Sequence, residues 1–129
     1  MKLKTELPND IKDKLTLACY EDDYDKVKNI LDICPDHINL DFEYYRSKSG
    51  GNGTPLILTG DKEIAKLLIA HGADVNYKYN IHDGITALDS AINTRDTKTG
   101  YKVGEEKHQQ ICDLIAYLES IGAKRGEEL

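Results

Sequence analysis

The sequence is poor in cysteine, phenylalanine and tryptophan: its 129 residues include three cysteines, one phenylalanine and no tryptophan. Cys19, Cys34 and Cys112 are odd in number and lie far apart, which argues against a disulfide framework. Cys34 and His37 form a CxxH pair, but no second pair of ligands completes a zinc site. We therefore expect neither a metal nor another cofactor.

Long hydrophobic runs are also missing. No apolar stretch approaches the ~20 residues that a membrane span needs. The first residues lack the continuous apolar stretch of a signal peptide. These absences predict a cytoplasmic protein that makes no contact with a membrane.

Catalytic motifs are not recognisable either. His82 and Asp83 could form an acid–base pair, but they are expected at the tip of a loop. Residues 98–102 lack the glycine and lysine spacing of a phosphate loop. The sequence has no Gly-x-Ser-x-Gly and no Cys–His pair in a familiar context. We predict that the chain is not an enzyme.

The net charge of -6 is concentrated in one part of the chain. Residues 9–43 hold ten acidic and four basic residues, which accounts for all of it. Because phosphate binding requires a basic face, this distribution disfavours a nucleic-acid ligand. Two interpretations remain open: the acidic region attracts a basic partner protein, or it solvates an exposed end of the molecule.

Three stretches have the pattern of paired helices. In the first, apolar residues at helical spacing precede a polar turn at 21–25, after which Val27, Ile30 and Leu31 continue the pattern. In the second, Thr54 can cap a helix that begins at Pro55. The third is interrupted by a polar stretch at 94–104 before its second helix.

Glycines punctuate the second helices. Gly72 and Gly122 each follow an amphipathic run and supply the left-handed conformation that ends a helix. Leu56, Leu67, Leu68, Leu88, Ile115 and Leu118 are the expected buried residues. Each unit thus consists of a helix, a tight turn, a second helix and an extended loop.

This unit resembles the ankyrin repeat, which has paired helices and a β-turn in about 33 residues. Residues 54–56, Thr-Pro-Leu, are similar to the family's helix start, and residues 67–76 are similar to its second helix and following hairpin. Residues 83–88 resemble the opening of the next repeat. The middle repeat lacks about three residues between Thr59 and Gly60, so its first helix should be short.

The resemblance implies an all-α solenoid of stacked helix-turn-helix units with short β-hairpin loops. We expect one domain over 1–129, with repeats at about 9–40, 52–76 and 83–123. Insertions are expected at about 41–51 and 94–104. Loops of that length are uncommon unless they are functional or disordered.

Aromatic residues cluster in the two loops between repeats, which in this family form fingers beside a concave, partner-binding groove. Tyrosine and arginine are enriched at binding hot spots, although tyrosines can also pack across neighbouring fingers. Exposed positions on the first helices of the repeats and the acidic turn complete the predicted surface. Its residues are Tyr20, Glu21, Asp22, Asp23, Tyr44, Tyr45, Arg46, Tyr77, Tyr79, His82, Asp89 and Asn93.

Two functions fit this sequence. The first is a protein–protein interaction module, monomeric when free, that binds a partner protein through its concave face and hairpin loops. The second is a bacterial immunity protein, an inhibitor that neutralises a toxin by masking its active site. In both cases the partner is a protein whose surface is expected to be basic.

Overall fold

A computed structural model of the chain describes residues 5–34, 37–43, 53–79, 84–96 and 105–129. Within these ranges the backbone forms six α-helices, a short 3₁₀-helix at Gly126–Glu128 and no strand longer than an isolated bridge. The α-helices are α1 (Asn9–Tyr20), α2 (Tyr24–Ile33), α3 (Pro55–Leu58), α4 (Lys62–Ala70), α5 (Ala87–Asp96) and α6 (Glu105–Ser120).

The helices form three consecutive pairs in a two-layer stack. Helices α1, α3 and α5 pack side by side as an inner layer, because α3 contacts both α1 and α5. Helix α4 contacts both α2 and α6 in the outer layer. The predicted all-α solenoid of stacked helix pairs is therefore confirmed, and the exact limits of the repeats stay a prediction.

The core lies between successive pairs and between the two layers. Leu15, Ile64, Leu68 and Leu118 are completely buried. Of the residues predicted to be buried, Leu67 differs, because it is only partly buried against the core. The others are buried: Leu56, Leu68, Leu88, Ile115 and Leu118.

Local signals set the helix ends. The hydroxyl of Thr54 accepts a hydrogen bond from the backbone N–H of Ile57 at 3.3 Å, as expected for a helix that begins at Pro55. Gly72 ends α4 with a φ of 101°, in the left-handed region that favours glycine, and Gly122 ends α6 in the same way.

The extended loops after the outer helices are joined by hydrogen bonds that recur from repeat to repeat. The carboxylate of Asp41 accepts from the backbone N–H of Asp74 at 2.9 Å. One repeat further on, the side-chain oxygen of Asn76 accepts from the backbone N–H of Lys124 at 2.8 Å. Asn39 and Asp74 each also accept from the backbone N–H two residues ahead, at 2.9 Å. These bonds fix the spacing of the loops.

One helix end differs from the sequence pattern. Helix α5 runs to Asp96, and so includes the first three residues of the insertion that was predicted at about 94–104. The hairpins were predicted to be short, and in the part of the chain that is described they consist of pairs such as Tyr79 with Ile85, whose N–H groups each donate to the other's carbonyl. Residues 44–52 and 97–104, which make up most of the two predicted insertions, lie outside the described residues.

Candidate functional site

The turn between α1 and α2 holds four of the predicted partner-binding residues. Tyr20 is 48% exposed, and Glu21 beside it is also exposed. Asp22 has a φ of 55°, in the left-handed region, so the backbone turns sharply at this residue. Asp23 caps α2, because its carboxylate accepts from the backbone N–H of Lys26 at 3.2 Å. Glu21 and Tyr20 thus face solvent, whereas Asp23 is engaged in the fold.

Asp22 is the most connected of these residues. Its Oδ1 accepts from the hydroxyl of Thr59 at 3.0 Å and from the backbone N–H of Gly60 at 2.9 Å. Its Oδ2 accepts from Nζ of Lys107 at 2.7 Å and from Nε2 of Gln110 at 3.1 Å. The side chain is only 12% exposed. Asp22 therefore joins the first helix pair to the second and the third, a role that its place in an acidic run did not indicate.

Tyr79 does not lie where the sequence analysis expected a partner contact. It is 3% exposed and belongs to the hydrophobic core. Its backbone pairs with that of Ile85 at 2.8 and 3.0 Å. This burial agrees with the alternative interpretation, that tyrosines of the loops pack within the fold. Tyr77 is half-buried.

Asp89 was expected on the exposed side of an inner helix, and this placement is wrong. It is 8% exposed, and its carboxylate accepts from the backbone N–H of Gly126 at 2.7 Å and from Nε of Arg125 at 2.8 Å. Burial raises the pKa of Asp89, but hydrogen bonds from Arg125, Gly126 and Thr86 outweigh it and lower the pKa overall. The carboxylate holds the start of α5 against the last loop.

The remaining predicted residues divide into two groups. Asn93 is exposed on α5, one turn beyond Asp89. Four others lie outside the described residues: Tyr44, Tyr45, Arg46 and His82.

A cavity that sequence reasoning missed lies beside α3. It has a volume of about 340 Å³ and is bounded by the end of α1, by α3 with the turn that follows, by α5 and by the first turns of α6. We call it the notch; its lining residues are Tyr20, Asp22, Ile57, Leu58, Thr59, Gly60, Ser90, Ala91, Thr94, Lys107 and Ile111. The missing residues between Thr59 and Gly60 predicted a short helix, and the structure gives α3 four residues. That deletion was the available signal for the notch.

A second depression lies between α4 and α6, on the other side of the Thr59–Asp61 turn. We call it the acidic groove, because four of its seven lining residues are carboxylates. They are Asp61, Glu63, Glu106 and Asp113. Lys62, Gln109 and Gln110 complete the lining. Gln110 connects the two depressions, since it also donates to Asp22 and to the carbonyl of Gly60.

Comparison with known protein families gives a match for the middle of the chain. Residues 54–80, which contain α3, α4 and the loop that follows, match the family model of the ankyrin repeat. The resemblance seen in the sequence is thereby confirmed for this segment, and the stacked pairs on either side give the chain an ankyrin-like fold. No curated protein matches the chain. Ankyrin repeats typically serve as non-catalytic protein–protein interaction modules, and this is the class of function that the match supports.

The described residues also bear on two other features, a metal site and a membrane span. Among them, no three His, Cys, Asp or Glu side chains come together in a way that could hold a metal ion. None of the described helices has both the length and the apolar character needed to cross a bilayer.

Proposed function

We propose that this chain binds a partner protein with a basic surface, through the exposed residues at the ends of its inner helices together with its inter-repeat loops. The observation that carries this proposal is the rigid stack of helix pairs around an ankyrin repeat. Such a stack presents an extended surface whose parts are held at fixed distances, as repeat proteins use for binding. Tyr20, Glu21 and Asn93 are the exposed members of this surface.

The distribution of charge supports a basic partner. Glu21 and Asp25 are exposed beside the first turn, and the acidic groove adds carboxylates from α4 and α6. Lys62 and Lys107 lie among them, so the surface is acidic on balance rather than uniformly. Like charges concentrated on one side accelerate encounter with a surface of opposite sign. The loop residues Tyr44, Tyr45, Arg46 and His82 remain proposed contacts, with Tyr77.

Affinity capture and kinetics test this proposal. The purified chain is immobilised, captured proteins are identified by mass spectrometry, and a candidate is then produced in pure form for measurement of its binding rates. We expect Glu21→Gln with Asp25→Asn to slow association, because both carboxylates are exposed and bind nothing that holds the fold together. The effect should fade between 0.1 M and 1 M salt, as the Debye length falls from about 10 Å to about 3 Å.

Substitution of Asp22 or Asp23 is a less suitable test, since both carboxylates have partners within the fold. The matched control is Lys28→Gln, an exposed charge of opposite sign on α2. If the association rate is changed neither by salt nor by the two substitutions, the acidic residues serve only to solvate the surface.

The immunity-protein hypothesis is a finer version of the same proposal. An acidic surface suits an inhibitor that covers a basic active site on a toxin. A gene for a toxin beside the gene for this chain, and inhibition of that toxin by the purified chain at equal molar concentration, would support it. A captured partner that keeps its full activity when bound would exclude masking of an active site.

A further inference from the structure

The notch exists because the middle inner helix is much shorter than its neighbours. Helix α3 has four residues, whereas α1 and α5, which pack on either side of it, have 12 and 10. The ends of α1 and α5 therefore extend past the point where α3 stops. The turn that replaces the missing helix is held by Asp22, through the Thr59 hydroxyl and the Gly60 N–H.

The walls of the notch combine an apolar surface with one polar end. Ile57, Ala91 and Ile111 are buried core residues that form the apolar part. Tyr20 borders the notch and is 48% exposed. At the polar end lies the carboxylate of Asp22. A cavity of about 340 Å³ with this lining can hold one long side chain of another protein.

One donor to Asp22 differs from the other three. Thr59, Gly60 and Gln110 donate from within the fold, but Lys107 reaches the carboxylate from a side chain that is 49% exposed. Because the ammonium end of this ion pair is half-exposed, its release to water costs little. The ammonium group of Lys107 can therefore be displaced by another cation at small cost.

We propose that the notch binds an arginine side chain of the partner protein, which takes the place of Lys107 at the carboxylate of Asp22. This inference rests on the proposed function. A guanidinium group is more weakly hydrated than an ammonium group, so it loses less hydration when it enters a partly apolar cavity. Its aliphatic stem would lie against the apolar wall, and the ring of Tyr20 offers a cation–π contact.

The surroundings of the notch favour a basic occupant over an acidic or apolar one. The acidic groove begins on the other side of the Thr59–Asp61 turn, and Glu21 is exposed next to Tyr20. A segment that carries an arginine into the notch would thus find further carboxylates on both sides. An acidic segment would be repelled. An apolar segment would remove water from the Asp22–Lys107 ion pair and offer no polar contact in its place.

Nuclear magnetic resonance on the full chain tests the notch with a small probe, N-acetyl-arginine-N-methylamide. We expect saturable chemical-shift changes at the backbone amides of Tyr20, Ser90, Ala91 and Thr94. The matched probe is the citrulline analogue, which has the same shape without the charge. Its affinity should be about fivefold lower, the size expected for the loss of one ion pair near a surface. Equal affinities for the two probes would overturn the proposal.

Substitutions locate the binding. Ala91→Leu fills the notch from its wall and should abolish the arginine-induced shifts, whereas Ala116→Leu, at an exposed position of the neighbouring α6, should leave them unchanged. If Ala91→Leu disturbs folding, Thr94→Leu blocks the notch from an exposed position instead. Lys107→Met should raise the affinity for the arginine probe by about threefold, because it removes the competing cation.

Shifts that survive Ala91→Leu and Thr94→Leu, or an affinity lowered by Lys107→Met, would show that arginine does not bind as proposed. Failure of the broader function would look different. The arginine probe would then still bind the notch although no protein partner exists. Conversely, a partner that binds Ala91→Leu with unchanged affinity would support the proposed interaction module and would show that the notch is not part of its binding surface.

Discussion

The two sides of the stack are held together in different ways. On the loop side, the segments after the outer helices repeat one hydrogen bond: Asp41 accepts from the backbone N–H of Asp74, and Asn76 accepts from that of Lys124. On the turn side, where inner helices lead into outer ones, a single carboxylate, that of Asp22, serves all three pairs. The hydrogen bonds of the loop side recur from repeat to repeat, whereas those of the turn side depend on one residue of this chain.

This difference teaches where to look for function in a small repeat protein. Bonds that recur from unit to unit maintain the stack, and similar residues in each repeat are sufficient to make them. A bond that has no counterpart in the other repeats compensates for a local irregularity, which here is the short α3. The notch and the acidic groove both lie beside that irregularity.

The largest effect is expected from the core that both sides share. Leu68 on α4 is completely buried, so Leu68→Ala should lower the free energy of unfolding by about 2–5 kcal/mol. Leu67→Ala, at the neighbouring and only partly buried position, is the control and should cost clearly less. Chemical denaturation measures both. Equal losses would mean that the packing between repeats is not as described.

On the turn side, Asp22→Ala removes the acceptor of four donors and should cost about 2–4 kcal/mol, because the part-buried N–H of Gly60 and the hydroxyl of Thr59 lose their partner. Asp22→Asn should cost less, since an amide oxygen can still accept from Thr59 and Gly60. Glu21→Ala, at the adjacent exposed position, should change stability by no more than about 0.5 kcal/mol. If Asp22→Ala were as mild as Glu21→Ala, the turn side would not depend on this carboxylate.

On the loop side, Asn76→Ala should cost about 0.5–1.5 kcal/mol, the usual net value of one hydrogen bond. Asp41→Ala removes the corresponding acceptor one repeat earlier and should have a similar cost. Thermal or chemical denaturation of the two variants gives a direct comparison. Costs that differ by more than about 2 kcal/mol would show that the recurring bonds are equivalent in geometry but not in energy.

The smallest expected effect is on the stability of the folded chain at low pH. The pKa of Asp89 is lowered in the folded chain, so its contribution to stability is present above the unfolded value of about 4 and is lost as the pH falls through the folded value. Wild-type stability should therefore decline from pH 5 to pH 3 more steeply than that of Asp89→Asn. Glu127→Gln, an exposed neighbour of Arg125, is the control. If the stability of wild type and of Asp89→Asn declined equally over this pH range, Asp89 would not contribute to the loss of stability in acid.

Much of the fold could be predicted because its determinants are local and repeated. The cap at Thr54, the glycine after α4 and the spacing of buried leucines all lie within one helix pair. The site was less predictable, since Asp89 is buried and bound to Arg125, 36 residues away in the sequence. The role of Asp22 depends on Lys107 and Gln110, 85 and 88 residues away, which no local pattern reveals.

The bonds of Asp22 also bear on how the molecule unfolds. In an ordinary solenoid each unit touches only its neighbours, so the ends can fray while the middle stays folded. Here the first pair is connected directly to α6 of the third, across the shortened middle repeat. Loss of either end therefore weakens the other. The stack should melt as one cooperative unit, with amide protons at both ends exchanging through the same global opening.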